Sequence, residues 1–119
     1  MLKAQHRMRR SADFRLSTRH GVRVGRPLIV VHYLPPESPD THRPAAVGFT
    51  VGRSVGGAVT RNAVRRRLRH LMAARLDQLQ PGSRVVVRAL PRAADASSRE
   101  LDAELDAALD RALRRGARR

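Results

Sequence analysis

The chain has 119 residues, of which 25 are Lys or Arg and 10 are Asp or Glu, so its formal net charge at neutral pH is +15. This length suits one domain with a modest core, and so large a positive charge favours a polyanion, nucleic acid first, as the partner. The absence of cysteine excludes disulfide scaffolds, Cys-ligated zinc modules and thiol nucleophiles, and no apolar run approaches the roughly 20 residues of a membrane span. We therefore expect a soluble, cytoplasmic protein without a membrane partner.

The first 25 residues predict a basic arm followed by a helix. Residues 1–10 are basic and have no clear period, so we expect a mobile arm. Ser11 is a capping residue for a short helix over 12–20, and Gly21 stands just past its end. Val22 and Val24 then alternate with a polar residue, which is typical of a short strand.

Three further strands follow from apolar and β-branched runs. The stretch 28–34 is a strong strand, and 46–51 is expected to return beside it as a hairpin whose tip is the proline-rich loop 35–44. The fourth strand covers 84–90 and is stopped by Pro91.

Two longer helices complete the predicted order αβββαβα. The first runs from Ala58 to about Leu79, and the second is capped by Ser97 or Ser98. Leucines recur every four residues on the last helix, as expected of a face that packs on a sheet: Leu101, Leu105, Leu109 and Leu113. The sequence thus predicts a single α+β domain over residues 1–119, with a small four-stranded mixed sheet packed against helices.

The positive charge is unevenly distributed along the chain. Residues 1–94 contain nineteen basic and four acidic residues, whereas residues 95–119 contain six of each. The whole surplus therefore lies in the first four-fifths of the chain, and the last helix has the balanced charge of an ordinary solvated helix.

The helix that begins at Ala58 has a basic face. Five polar side chains fall within an arc of about 140° on it: Arg61, Asn62, Arg65, Arg66 and Arg69. Val64 and Leu68 occupy the adjoining arc, and no acidic residue occurs between Thr60 and Arg75. A solvated basic face is about as common as a binding face, but surface helices usually mix charge signs. Unrelieved repulsion between arginines is better explained if a polyanion neutralises it.

A glycine-rich turn, 52–57, leads into this helix. Such a turn can present backbone N–H groups to a phosphate, but it lacks the Gly-Lys-Ser/Thr ending of a P-loop and is weak evidence by itself.

Together these residues resemble a known family. Asp13-Phe14, the turn 52–57 followed by Ala58-Val59, and the motif Arg61-Asn62-x-x-Arg65-Arg66-x-x-Arg69 are similar to the protein subunit of bacterial ribonuclease P. The resemblance covers nearly the whole chain, and its signature from Gly56 to Arg69 is specific. It implies parallel third and fourth strands joined by the basic helix in a left-handed crossover, against the general right-handed preference.

The resemblance also implies a division of labour. The RNA subunit would carry the Mg²⁺-dependent cleavage, and the protein would bind that RNA and the 5′ leader of precursor tRNA, with no cofactor, metal or small-molecule substrate of its own. By position, the surface facing the catalytic RNA would comprise Arg53, Arg61, Asn62, Arg65, Arg66 and Arg69. The leader cleft would comprise Phe14, Thr18, Ile29 and His32.

Several positions depart from the family pattern. Ala63 replaces a frequent Arg, Arg65 replaces the commoner Lys, and Ser54 replaces a second basic residue of the turn. Thr18 and His32 stand where relatives often carry aromatic residues, so Phe14 is the main candidate for stacking on a base.

Other functions are less well supported. The five histidines show no metal-ligand spacing or HExxH motif, and the acids outside the last helix are scattered, which disfavours a protein nuclease acting alone. The alternative is a basic ribosomal or ribosome-assembly protein that binds structured RNA.

Overall fold

A computed structural model of the chain describes residues 2–39 and 41–118. The predicted order αβββαβα is confirmed, with three short 3₁₀ helices added: one before α1 and one on each side of the last strand. The main elements are α1 (Ser11–His20), β1 (Val22–Gly25), β2 (Ile29–Leu34), β3 (Ala46–Thr50), α2 (Ala58–Ala73), β4 (Arg84–Ala89) and α3 (Ser98–Gly116).

The four strands form one mixed sheet in the order β1-β2-β4-β3. β2 is antiparallel to both β1 and β4, whereas β3 is parallel to β4, as the family resemblance implied. The expected hairpin between β2 and β3 is wrong, because β4 lies between them and the loop 35–44 crosses from one to the other. Since β3 and β4 are neighbours joined through α2, the basic helix lies beside the β3 edge of the sheet. The handedness of this crossover stays a prediction.

The main core lies on one face of the sheet. Ile29, Val31 and Tyr33 of β2 point into it, and α3 packs on β1 and β2 through its leucine stripe. α2 contributes three completely buried side chains to the same core: Val64, Leu68 and Met72. The opposite face is covered by α1, which contacts β2 and β4.

The N-terminal segment packs against β3 instead of forming a free arm. Leu2 is 1% exposed, the Met8 N–H donates to the Val47 carbonyl at 2.9 Å, and His6 Nδ1 lies 2.8 Å from the Ala45 carbonyl oxygen. The expectation of a mobile arm is therefore wrong for residues 2–8, because two apolar side chains, Leu2 and Met8, are buried. Met1 lies outside the described residues.

Two helix boundaries also differ from prediction. α1 begins at Ser11 itself, with Arg10 at the N-cap position and no side-chain cap, so Ser11 does not cap the helix. α2 ends at Ala73, about six residues earlier than expected.

The early end of α2 is associated with a buried arginine. The Arg75 guanidinium donates to Asp106 Oδ1 at 2.8 and 3.0 Å, to Asp102 Oδ1, and to the carbonyl oxygen of Leu71 at 2.8 Å. Burial by itself would lower the pKa of Arg75, but the hydrogen bonds to Asp102 and Asp106 outweigh it and leave the pKa raised. A permanently charged group thus connects the end of α2 to the middle of α3.

Loss of this connection should destabilise the fold. We expect Arg75→Ala to lower the free energy of unfolding by about 2–3 kcal/mol, because charge-assisted hydrogen bonds of a buried group are lost. Arg114→Ala is the matched control: its ion pair with Asp110 spans 3.3 Å between side chains that are 75% and 63% exposed, and its loss should cost under about 1 kcal/mol. Urea unfolding of both variants measures the difference, and equal losses would contradict the role of Arg75.

Candidate RNA-binding surface

The N-terminus of α2 is open to a ligand. Gly57 occupies the N-cap position without a side-chain cap, and the first turn contains no acidic residue. The preceding turn is closed by hydrogen bonds from the Val55 N–H to the Gly52 carbonyl at 3.1 Å and from the Gly56 N–H to the Arg53 carbonyl at 3.2 Å. Arg53 itself is exposed. Uncapped amide groups and the helix dipole favour an anion at such a terminus.

The arginines of α2 are electrostatically unrelieved. Within residues 2–39 and 41–118, none of the five forms an ion pair: Arg61, Arg65, Arg66, Arg67 and Arg69. The buried stripe of α2 faces the core, so these side chains are left on the surface of the same helix. This arrangement concentrates positive charge along about three turns.

Local contacts order parts of this surface. Arg65 Nη1 donates to Asn62 Oδ1 at 3.1 Å, which orients both side chains of the predicted motif. Arg61 is half-buried, and its Nε has no hydrogen-bond partner among the described residues. Arg66 is exposed and Arg69 is half-buried. The motif residues therefore share one side of α2, as the helical wheel predicted.

A cavity of about 410 Å³ lies between α1, β3 and α2, and we call it the Phe14 cavity. Its lining includes two aromatic and four basic side chains: Arg7, Arg9, Phe14, Phe49, Arg65 and Arg69. The sequence placed Phe14 and the arginine motif on two surfaces, and the structure brings members of both to one cavity.

A glycine sets the position of Phe14. A Cβ atom built on Gly48 of β3 would lie 2.5 Å from Phe14 Cζ, so only glycine allows the ring to rest directly on the strand. The ring forms one wall of the Phe14 cavity, with Met8 beside it. Phe14 is half-buried, so part of its side chain is exposed within the cavity.

The other three residues predicted for the leader cleft are placed differently. Thr18 is exposed one turn after Phe14, and its hydroxyl donates to the Phe14 carbonyl at 2.9 Å. His32 lies on the face of the sheet that α1 covers and is 7% exposed. Ile29 is completely buried in the main core, so its assignment to the cleft is wrong. Residues 29 and 32 differ by an odd number in one strand and therefore point to opposite faces.

Sequence reasoning missed the basic neighbours of His32. Arg23 is its register partner on β1, and both Arg23 and Arg88 are close enough to affect its charge. The alternation within each strand indicates which residues share a face of the sheet. It does not indicate that β1 and β4 flank His32, because that depends on the order of the strands. Arg7 and Arg9 were likewise assigned to a mobile arm, and they line the Phe14 cavity.

Burial lowers the pKa of His32, and the charges of Arg23 and Arg88 lower it further. The folded protein therefore takes up a proton on His32 only at a pH lower than the 6.5 typical of an unfolded histidine. Its Nδ1 has no hydrogen-bond partner among the described residues.

His32 should therefore make the fold sensitive to acid. As the pH falls below 6.5, the unfolded state binds a proton that the folded state does not, and the free energy of unfolding decreases until the lower pKa of the folded protein is passed. His32→Gln should show a smaller decrease than the wild type between about pH 7.5 and about pH 5.5 in urea unfolding. His42→Gln, at an exposed loop position, is the control and should keep the full decrease. Parallel curves for all three proteins would show that His32 is not responsible.

Two searches of the structure gave negative findings. Among residues 2–39 and 41–118, no three His, Asp or Glu side chains are grouped as metal ligands. No helix in the described part of the chain is long and apolar enough to span a membrane.

The chain was compared with known proteins. The family model described as Ribonuclease P matches residues 2–113. A ribonuclease P protein component from Streptomyces griseus is 53% identical over 106 residues, covering 85% of this chain and 86% of the relative. Another, from Nocardioides sp., is 56% identical over 102 residues with the same coverage of both chains.

Solved structures share the fold. The RNase P protein of Staphylococcus aureus superposes with a TM-score of 0.77 at 23% identity, covering 91% of this chain and 94% of that one. The RNase P protein of Thermotoga maritima gives a TM-score of 0.73 at 21% identity, covering 88% and 96%. With the family model matching most of the sequence and relatives above 50% identity, the chain belongs to the ribonuclease P protein family.

Proposed function

We propose that this chain is the RNA-binding subunit of a bacterial ribonuclease P, which works in the cytoplasm on the 5′ end of precursor tRNA. The observation that carries the proposal is the arginine face of α2, where Arg61, Arg65, Arg66 and Arg69 form no ion pair among the described residues and Arg65 and Arg69 line the Phe14 cavity. Family membership makes a ribosomal or ribosome-assembly protein the weaker hypothesis, and we do not retain it.

The catalytic RNA is the partner that α2 fits. Phosphates spaced along an RNA strand can neutralise Arg61, Arg65 and Arg69, which follow one another at single-turn intervals. Arginine also binds phosphate through two parallel hydrogen bonds, which fixes orientation as well as charge. Asn62 and Arg66 widen the same surface around the helix, and Arg53 extends it past the uncapped start of α2.

The single-stranded leader of the precursor is the ligand that the Phe14 cavity fits. A base can stack on the Phe14 ring while its phosphates contact the arginines of the cavity wall. Thr18 is exposed on α1 and extends the proposed path beyond the cavity, whereas His32 is buried beneath α1 and is not in contact with the leader on this path. Aromatic contacts are few in this chain, so recognition here relies more on charge than on stacking.

Catalysis is assigned to the RNA because the acids of α1 and α3 are engaged within the fold. Asp13 pairs with Arg84, Glu104 with Arg26, and the remaining acids of α3 hold Arg75, Arg114 or the helix cap, as described for Arg75 and Ser97. These carboxylates do not fit a magnesium site or a general acid–base pair of the protein's own. Mg²⁺ would accordingly be held by the RNA.

Reconstitution tests the proposal. The protein added to its cognate RNA at low Mg²⁺ should restore 5′ processing of precursor tRNA, and cleavage by the protein alone would overturn the division of labour. The triple variant Arg61→Ala, Arg65→Ala, Arg69→Ala should weaken binding to the catalytic RNA and reduce the slope of log affinity against log salt by about two to three.

A control variant that loses the same number of positive charges elsewhere distinguishes an effect of the α2 surface from an effect of net charge. Replacing Arg111, Arg114 and Arg118 of the exposed C-terminal region by Ala removes three positive charges away from α2. Wild-type affinity and slope in the α2 variant, or equal losses in both variants, would contradict the assignment of α2.

Phe14→Ala should affect the precursor selectively. Only the precursor carries a leader, so its affinity should fall by about five- to tenfold or more, within the range of one lost base–aromatic stack, while the affinity for mature tRNA is unchanged. Leu16→Ala removes an exposed apolar side chain from the same helix and is the control. Binding of the reconstituted enzyme to the two RNAs measures the difference, and equal losses for both RNAs would argue against a leader site at Phe14.

A further inference from the structure

A second cavity lies on the other flank of α2. It has a volume of about 390 Å³ and is enclosed by the second half of α2 and the first turn of α3; we call it the Ser98 cavity. Its lining comprises Arg66, Arg67, Arg69, His70, Leu71 and Ser98. Arg65, which faces the Phe14 cavity, and Arg67 are about 200° apart on the helix. Arg69 lines both cavities, so one basic helix separates two sites.

The walls of the Ser98 cavity are held in place. Arg67 Nη1 donates to the carbonyl oxygen of Ala96 at 3.2 Å, which ties α2 to the residue before the α3 cap. A capping box then fixes the start of α3: the Glu100 N–H donates to Ser97 Oγ at 3.1 Å, and the Ser97 N–H donates to Glu100 Oε1 at 2.9 Å. Glu100, the acid of this helix turn, is thereby occupied. The cavity does not depend on a flexible loop for its shape.

The lining has the chemistry of a nucleotide site. Three arginines provide positive charge, His70 adds a ring that can form hydrogen bonds, and no acidic side chain lines the cavity. The aliphatic parts of the arginines and the half-buried Leu71 supply apolar wall. Guanidinium planes stack on nucleobases and also bind phosphate, and the volume lies in the range of about 300–1,000 Å³ found for small-ligand pockets.

We infer that the Ser98 cavity takes one unpaired nucleotide of the catalytic RNA, with the base in the cavity and its phosphate on Arg66 and His70. This inference rests on the proposed function and adds a second contact to it. We favour the catalytic RNA as the source of this nucleotide because Arg66 belongs both to the arginine face of α2 and to the lining of the Ser98 cavity. An RNA strand that lies along the arginine face therefore passes the rim of the cavity. The leader of the precursor is proposed to bind on the opposite flank, beside Phe14.

The first test locates the nucleotide. Chemical probing of unpaired bases in the reconstituted enzyme should show a base of the catalytic RNA that the wild-type protein protects. Ser98→Trp places a large side chain at an exposed position of the cavity rim, and this protection should disappear while protection elsewhere remains. Protection that persists with Ser98→Trp, or protection of a precursor base only, would overturn the inference.

The second test measures affinity. His70→Glu introduces a negative charge into the cavity lining and should weaken binding to the catalytic RNA about tenfold, and Ser98→Trp should do so to a similar degree. His42→Glu is the control, because it makes the same substitution at an exposed loop position that does not line the cavity. Thermal unfolding of each variant confirms that the protein is folded before affinities are compared.

The outcomes separate this inference from the proposed function. Wild-type affinity in both cavity variants, with weakened binding in the α2 triple variant, would overturn the nucleotide site and leave the proposed function intact. Weakening by His70→Glu but not by Ser98→Trp would show a surface charge effect and would also overturn the site. Wild-type affinity in the α2 triple variant as well would refute the proposed function itself.

Discussion

Seating α2 against the core is the constraint on which the rest of the structure depends. Five arginines of this helix form no ion pair within the part of the chain that the structure describes, and their mutual repulsion opposes folding. It is offset by the burial of Val64, Leu68 and Met72, each contributing about 1.5–3 kcal/mol when fully removed from water. Arg75 adds a polar connection to α3 at the end of the helix. The protein can therefore hold a dense row of positive charge at a fixed position before any RNA is present.

The parallel pairing of β3 with β4 determines which parts of the chain lie next to the arginines of α2. Because β3 is the edge strand, α2 lies next to an edge that the N-terminal segment and Phe14 also reach. The absence of a side chain at Gly48 lets the Phe14 ring rest on the strand within the same cavity as Arg65. An aromatic side chain and phosphate-binding groups are thus available together, which is the combination that single-stranded RNA requires.

The distribution of acids supports the same functional division. The carboxylates lie mainly on α3, where they pair with Arg26, Arg75 and Arg114 or cap the helix. The negative charge of these carboxylates is therefore largely neutralised within the fold, and α2 is left without a counter-charge. A protein that binds RNA through positive charge has no need of free carboxylates near its binding surface.

The sequence alone determined the features that depend on local periodicity. The order of elements, the basic face of α2 and the family resemblance all follow from residues close together in the chain, because backbone geometry places helix residues 3.6 to a turn and alternates strand residues between faces. Applied to β2, the same alternation could have shown that Ile29 and His32 cannot share a cleft. Only the tertiary structure decided that β4 separates β2 from β3, that Leu2 and Met8 hold the N-terminal segment on β3, and that α2 lies between two cavities. These features rest on pairings between distant residues, which compete on free energy summed over the whole fold and leave no periodic signal in the chain.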